Sequence, residues 1–205
     1  MALNYLHSDS INVTHRDLKL ENVMVAIEKM PDGDAEMICK VTDFGFATAM
    51  DPSGKETLGL GTTPYMAPEI ILGKAYDKSV DIWALGVMAY KILTDRFPFE
   101  ARIPSKKATY DAIINNDLNL KPLNRYYQDG SLVKDFISRC LDKNPEKRWP
   151  TQMLLQHEWF KTMQVADGRV QEREQVIAAL NLAHYKEATL FQSSVLTFLA
   201  RLKTN

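Results

Sequence analysis

Apolar positions recur along the chain with two different periods, and the changes of period mark out its elements. Leu3 and Leu6 have helical spacing until Ser8-Asp9-Ser10 stops them, so the chain is expected to begin within a helix. Val23-Met24-Val25-Ala26-Ile27 is short, apolar and rich in β-branched residues. Pro31-Asp32-Gly33-Asp34 is a turn, and Met37-Ile38-Cys39-Lys40-Val41-Thr42 follows as a second strand, which together predict a small hairpin. Glu69 to Leu72 predicts one helical turn closed by Gly73. Asp81 to Leu93 is apolar on nearly every face, the pattern of a helix buried all round. Ser105 to Asn116 predicts a helix with Tyr110, Ile113 and Ile114 inward. Leu132, Val133, Phe136, Ile137, Cys140 and Leu141 share one helical face, behind a cap at Ser131 or Asp129. Thr151 is expected to cap a last short helix ending at His157-Glu158-Trp159-Phe160.

Two stretches depart from this regular body. Asp43 to Glu69 has little periodicity and is rich in Gly, Thr, Ser and Pro, as an ordered but movable loop should be. After Asp167-Gly168-Arg169, a plausible linker, Val170 to Lys203 runs without proline or glycine. Val176, Ile177, Leu180 and Ala183 form one apolar stripe there, and Leu190, Phe191, Val195, Leu196, Phe198, Leu199 and Leu202 a denser one. Such a tail must bury against something, either the body of the protein or a partner. The expected division is a main unit over 1–161 and a helical tail over 162–205, mainly α with a small β hairpin (α+β).

Composition narrows the class without naming it. At 205 residues, 45% hydrophobic and 25% charged with a formal net charge of -1, the chain can bury a sizeable core and carries no basic field for nucleic acid. No stretch reaches the roughly 18 apolar residues of a membrane span, and the N-terminus lacks the pattern of a signal peptide. The two cysteines, Cys39 and Cys140, have no metal-ligand spacing, so a cytoplasmic, reducing compartment is expected. His15, His157 and His184 form no ligand cluster in sequence.

The chemistry concentrates in Thr14-His15-Arg16-Asp17-Leu18-Lys19-Leu20-Glu21-Asn22-Val23 and, 26 positions after Asp17, Asp43-Phe44-Gly45. Carboxylates at Asp17 and Asp43, an ammonium at Lys19 and an amide at Asn22 form a set suited to phosphoryl transfer. An attacking hydroxyl needs an acceptor for its proton, the moving phosphoryl needs a cation, and Mg²⁺ needs hard oxygen ligands. Asp81 is one charge near the start of a buried helix and must be satisfied there. It is expected to accept backbone N–H groups of the His15-Arg16 turn.

With Ala67-Pro68-Glu69 following in order, these motifs make the chain resemble the large C-terminal lobe of eukaryotic protein kinases. The resemblance implies transfer of the γ-phosphoryl of MgATP to protein substrates, with Asp17 as base, Lys19 near the γ-phosphate, and Asn22 and Asp43 on Mg²⁺. A lysine two residues after the aspartate is similar to the serine/threonine pattern, as is Thr62, whose hydroxyl is expected to contact Asp17 and Lys19. Glu21 is implied in nucleotide binding or in choosing substrates with a basic residue, and Met24 in forming the floor under the adenine; from its sequence context alone Met24 could equally be core. Arg16 would receive a phosphate on Thr57 or Thr63, and Arg148 would pair with Glu69. The resemblance does not extend to the N-terminal, ATP-covering lobe, with its glycine-rich loop and strand lysine, which is expected to be absent. Ala188-Thr189-Leu190 and Val195-Leu196-Thr197-Phe198-Leu199-Ala200-Arg201-Leu202 resemble the junction of calcium-dependent protein kinases. A calmodulin-like calcium sensor would then bind the 170–203 helix, although no EF-hand loop is present in the sequence. The alternative is an inactive, kinase-like binding module.

Overall fold

The computed structural model describes residues 2–29, 35–50, 59–125 and 131–159. The expected turn at Pro31 to Asp34, the candidate cap Asp129, Thr57, Phe160 and the whole tail lie outside these residues.

One helix organises the described body. Helix α3 (Ser79–Thr94) buries every residue from Val80 to Leu93. A segment apolar on all sides can be helical in water only if neighbours cover all of it, and here they do. Trp83, Tyr90, Ile82, Ile92 and Leu93 are essentially inaccessible, each burial contributing roughly 1.5–3 kcal/mol for the aliphatic side chains. The main neighbour is α5 (Leu132–Cys140), whose Val133, Phe136, Ile137 and Cys140 are all buried, as the amphipathic pattern predicts. Gly86 makes that crossing possible: a Cβ there would lie 2.6 Å from the Cβ of Cys140 and 2.9 Å from Leu141. Burial pushes the Cys140 thiol well above its ordinary range, so it behaves as a small apolar side chain. Trp83 stacks on Phe99 with ring centroids 5.3 Å apart.

The remaining helices pack around this pair. Helix α1 (Ala2–Leu6) buries Leu3 and Leu6, as their spacing predicts. Helix α2 (Pro68–Ile71) is the predicted turn closed by Gly73, starting one residue before Glu69. Helix α4 (Lys106–Asn115) is capped by Ser105, whose Oγ accepts from the Ala108 N–H at 3.1 Å. Its Ile113 is fully buried, while Tyr110 and Ile114 are half-buried.

Two expected caps are corrected. Ser131 occupies the N-cap position of α5, but its hydroxyl makes no capping bond. Thr151 is the first residue of α6 (Thr151–Leu155) rather than its cap. Its hydroxyl instead donates to Asn4 Oδ1 at 3.0 Å, joining α6 to α1, and α6 stops before His157.

The β structure is slight and sits where the chemistry is. Strands β2 (Val23–Lys29) and β3 (Ala35–Val41) form the predicted antiparallel hairpin, with Val23 opposite Val41 and Met24 opposite Lys40. Two further strands of two residues each, β1 (Val13–Thr14) and β4 (Thr48–Ala49), pair antiparallel and flank the two motifs. No helix among the described residues is long and apolar enough to cross a membrane.

Candidate active site

The site is built on the turn after β1. Arg16 adopts φ +69°, a left-handed conformation unfavourable for a long side chain. Asp81, 1% exposed on α3, holds this turn from below: its carboxylate accepts the His15 N–H at 2.8 Å and the Arg16 N–H at 2.9 Å, as expected. A third donor was not anticipated. His7 Nε2 lies 2.8 Å from Asp81 Oδ2, also buried, and Lys78 Nζ donates to the His7 carbonyl at 2.7 Å. The usable signal was arithmetic, since a fully buried carboxylate needs more than two donors.

Asp17, 4% exposed, is the centre of a closed ring of polar contacts. Lys19 Nζ donates to Asp17 Oδ2 at 2.7 Å and to Thr62 Oγ1 at 3.0 Å, and Thr62 Oγ1 donates to Asp17 Oδ1 at 2.7 Å. Asn22 joins through its amide nitrogen, which donates to the Asp17 carbonyl at 2.9 Å and to Asp17 Oδ2 at 3.3 Å. With the nitrogen committed to Asp17, the amide oxygen is the atom left to serve as a ligand.

The second motif is locked to the first by backbone. Thr42 donates its N–H to the Asn22 carbonyl at 2.8 Å, and His15 Nε2 meets the Thr42 carbonyl at 3.1 Å. His15 Nδ1 accepts from the Asp17 N–H at 3.4 Å, which leaves Nε2 as the nitrogen facing the Thr42 carbonyl. Phe44 leans on the same ring with centroids 4.9 Å apart. Asp43 follows at φ +61°, exposed, with Oδ1 accepting the Gly45 N–H at 3.3 Å. Of the four non-glycine residues at positive φ among the described residues, Asn12, Arg16, Asp43 and Asp95, two belong to the chemical motifs.

The segment carrying Thr62 is pressed on the His15-Arg16 turn. Gly61 has φ +123°, and a Cβ there would meet the Arg16 carbonyl oxygen at 3.0 Å, so a side chain is excluded on two counts. The far end of the segment is clamped by Glu69 and Arg148, both buried. Arg148 Nη1 and Nη2 donate to the two Glu69 oxygens at 2.5 and 2.8 Å, Nη1 also reaches the Ser79 carbonyl at 3.2 Å, and Nε donates to the Asp142 carbonyl at 2.8 Å. The guanidinium also lies over the Trp83 ring at 5.0 Å, so this expected pair is both fully partnered and packed.

The outlying candidates fall as follows. Met24 is 58% exposed, which rules out a core role. Glu21 is exposed on the Leu20–Asn22 turn, and Thr63 is half-buried. Arg16 Nε donates to the Phe46 carbonyl at 2.5 Å. Among the described residues no cluster of three His, Cys, Asp or Glu side chains is placed to hold a metal. Mg²⁺ needs less, because it keeps several waters and takes one or two carboxylates alongside substrate phosphates. The Asn22 amide oxygen and the Asp43 carboxylate fit that demand by their donor chemistry.

Comparison with known proteins agrees with this geometry. Residues 1–160 match the protein kinase domain. The chain belongs to the protein kinase family. It is 35% identical over 170 residues to the serine/threonine-protein kinase pakB of Dictyostelium discoideum, covering 82% of this chain and 18% of that protein. It is 37% identical over 163 residues to an Aurora kinase of Schizosaccharomyces pombe, covering 78% of this chain and 40% of the relative. Aurora kinase B-A of Xenopus laevis is 36% identical over 160 residues, covering 78% and 39%. The chain thus spans well under half the length of these relatives. In this member of the family, Asp17, Lys19, Asn22 and Thr62 stand in one contact network.

Proposed function

We propose that this protein kinase chain transfers the γ-phosphoryl of MgATP to serine or threonine hydroxyls of protein substrates, with Asp17 receiving the hydroxyl proton. The observation that carries the reading is the ring joining Asp17, Lys19 and Thr62. A carboxylate held by a lysine and a threonine hydroxyl is fixed in position, and positioning with electrostatics is most of what phosphoryl transfer asks of a protein. Lys19 sets a cation beside the base, where charge on the moving phosphoryl has to be balanced. When bound, Mg²⁺ would be held by Asn22 and Asp43 and would neutralise phosphate charge. Met24, exposed on the strand leaving Asn22, offers an apolar, polarisable surface for the nucleotide base.

In this reading residues 1–161 act as the large lobe, which the two small two-stranded sheets among the described residues support. Glu21, exposed, is assigned to a basic residue of the substrate, and Thr57 and Thr63 stay candidate phosphosites from the sequence. An inactive binding module is not favoured, because Asp17, Lys19, Asn22 and Asp43 are all retained. The calcium sensor proposed for residues 170–203 rests on their apolar stripes and on the junction resemblance read from the sequence.

The test joins the chain to the ATP-covering lobe of a related kinase and compares Asp17→Asn with the parent. Loss of a proton acceptor that acts in the transition state lowers kcat by orders of magnitude and leaves KM nearly unchanged. An Asp17→Asn protein of undiminished kcat would remove the assignment.

A further inference from the structure

Building on the nucleotide reading above, we propose that Lys40 is a further nucleotide-contacting residue, one that binds the nucleoside end rather than the phosphates. The register of the hairpin carries this. Val23 is 4% exposed and lies opposite Val41, while Cys39, two residues before Val41, also packs against the core. These residues define the inward face. Side chains alternate along a strand, so Met24 and its cross-strand partner Lys40 share the opposite face, and both are exposed. Cross-strand partners have Cβ atoms about 4.5–5.5 Å apart, so a lysine stem easily spans whatever rests on Met24.

The direction of the ligand follows from the hairpin's ends. The Thr42 N–H bonds the Asn22 carbonyl, so Asn22 and Asp43 mark the metal end of the hairpin. Lys40 lies in β3, three positions before Asp43 in sequence, about 10 Å away at about 3.4 Å per extended residue. Phosphates held at the metal end leave the sugar and base running along the Met24 face toward Lys40. An ammonium there donates to ring-nitrogen or ribose-oxygen acceptors, while its methylene stem covers apolar surface.

The experiment titrates the full chain, with and without Lys40→Met, with MgATP, adenosine and magnesium tripolyphosphate, following backbone amide shifts by NMR. Lys40→Met should weaken MgATP and adenosine by the same factor, about fivefold to tenfold, the size of one net hydrogen bond. Tripolyphosphate binding should not change, and Lys40→Arg should restore part of the loss. A loss confined to MgATP and tripolyphosphate would make Lys40 a phosphate ligand and overturn the proposal. So would unchanged affinities, or adenosine that leaves Met24 unshifted. MgATP shifts at Asn22 and Asp43 with Lys40→Met inert would sink this inference alone; no shift at Asn22 and Asp43 would sink the nucleotide reading with it.

Discussion

Arg16 and Asp43 hold left-handed backbone at a cost of order 1–3 kcal/mol each, and specific bonds keep them there. Asp81 accepts the N–H groups of both His15 and Arg16, and the Gly45 N–H steadies Asp43. Glu69 and Arg148 show the other use of a buried charge, as a clamp between segments 79 residues apart. Arg148→Ala strands a buried carboxylate and should cost about 3–5 kcal/mol, read by chemical denaturation. Replacing both partners, as Glu69→Leu with Arg148→Met, should cost less than Arg148→Ala; additive losses would show that the pair is not coupled. At this scale the motif residues were legible from their chemistry, which demands partners of known type, and the Glu69–Arg148 pair from the family resemblance. His7 was not, since a histidine near a helix end carries no local mark of a partner 74 residues away.

Among the elements, α3 and α5 were legible because long runs fix their own period. The β1 and β4 pairing was not, since two residues have no period to read. The caps differ from expectation: the Thr151 hydroxyl goes to Asn4 in a tertiary bond, and the Ser131 hydroxyl, though at the N-cap position, makes no hydrogen bond. Ser105 makes the bond its position predicts. The crossing of α3 and α5 depends on Gly86, where an added methyl would overlap Cys140 and Leu141. Gly86→Ala should therefore destabilise by about 1–3 kcal/mol despite the better helix propensity of alanine. A stabilised variant in a thermal melt would show that the helices can move apart freely.

For the molecule as a whole, the described residues present a hairpin and two motifs on a helical base, with the His15-Arg16 turn fixed directly to the buried helix α3. Residues 170–205 lie beyond this body in sequence. If they inhibit, deleting them from a protein joined to an ATP-covering lobe should raise basal activity. Lower stability without activation would make them packing alone, since a switch needs a partner that binds the released state better than the body binds the docked one. The central claim, that Asn22 and Asp43 hold the metal of a bound nucleotide beside Asp17, is tested most directly by paramagnetic relaxation. Mn²⁺ replacing Mg²⁺ in the presence of ATP should selectively broaden the NMR signals of Asn22, Asp43 and their neighbours in the full chain, and Asp43→Ala should abolish the effect. Broadening centred elsewhere, or unaltered in Asp43→Ala, would contradict the account.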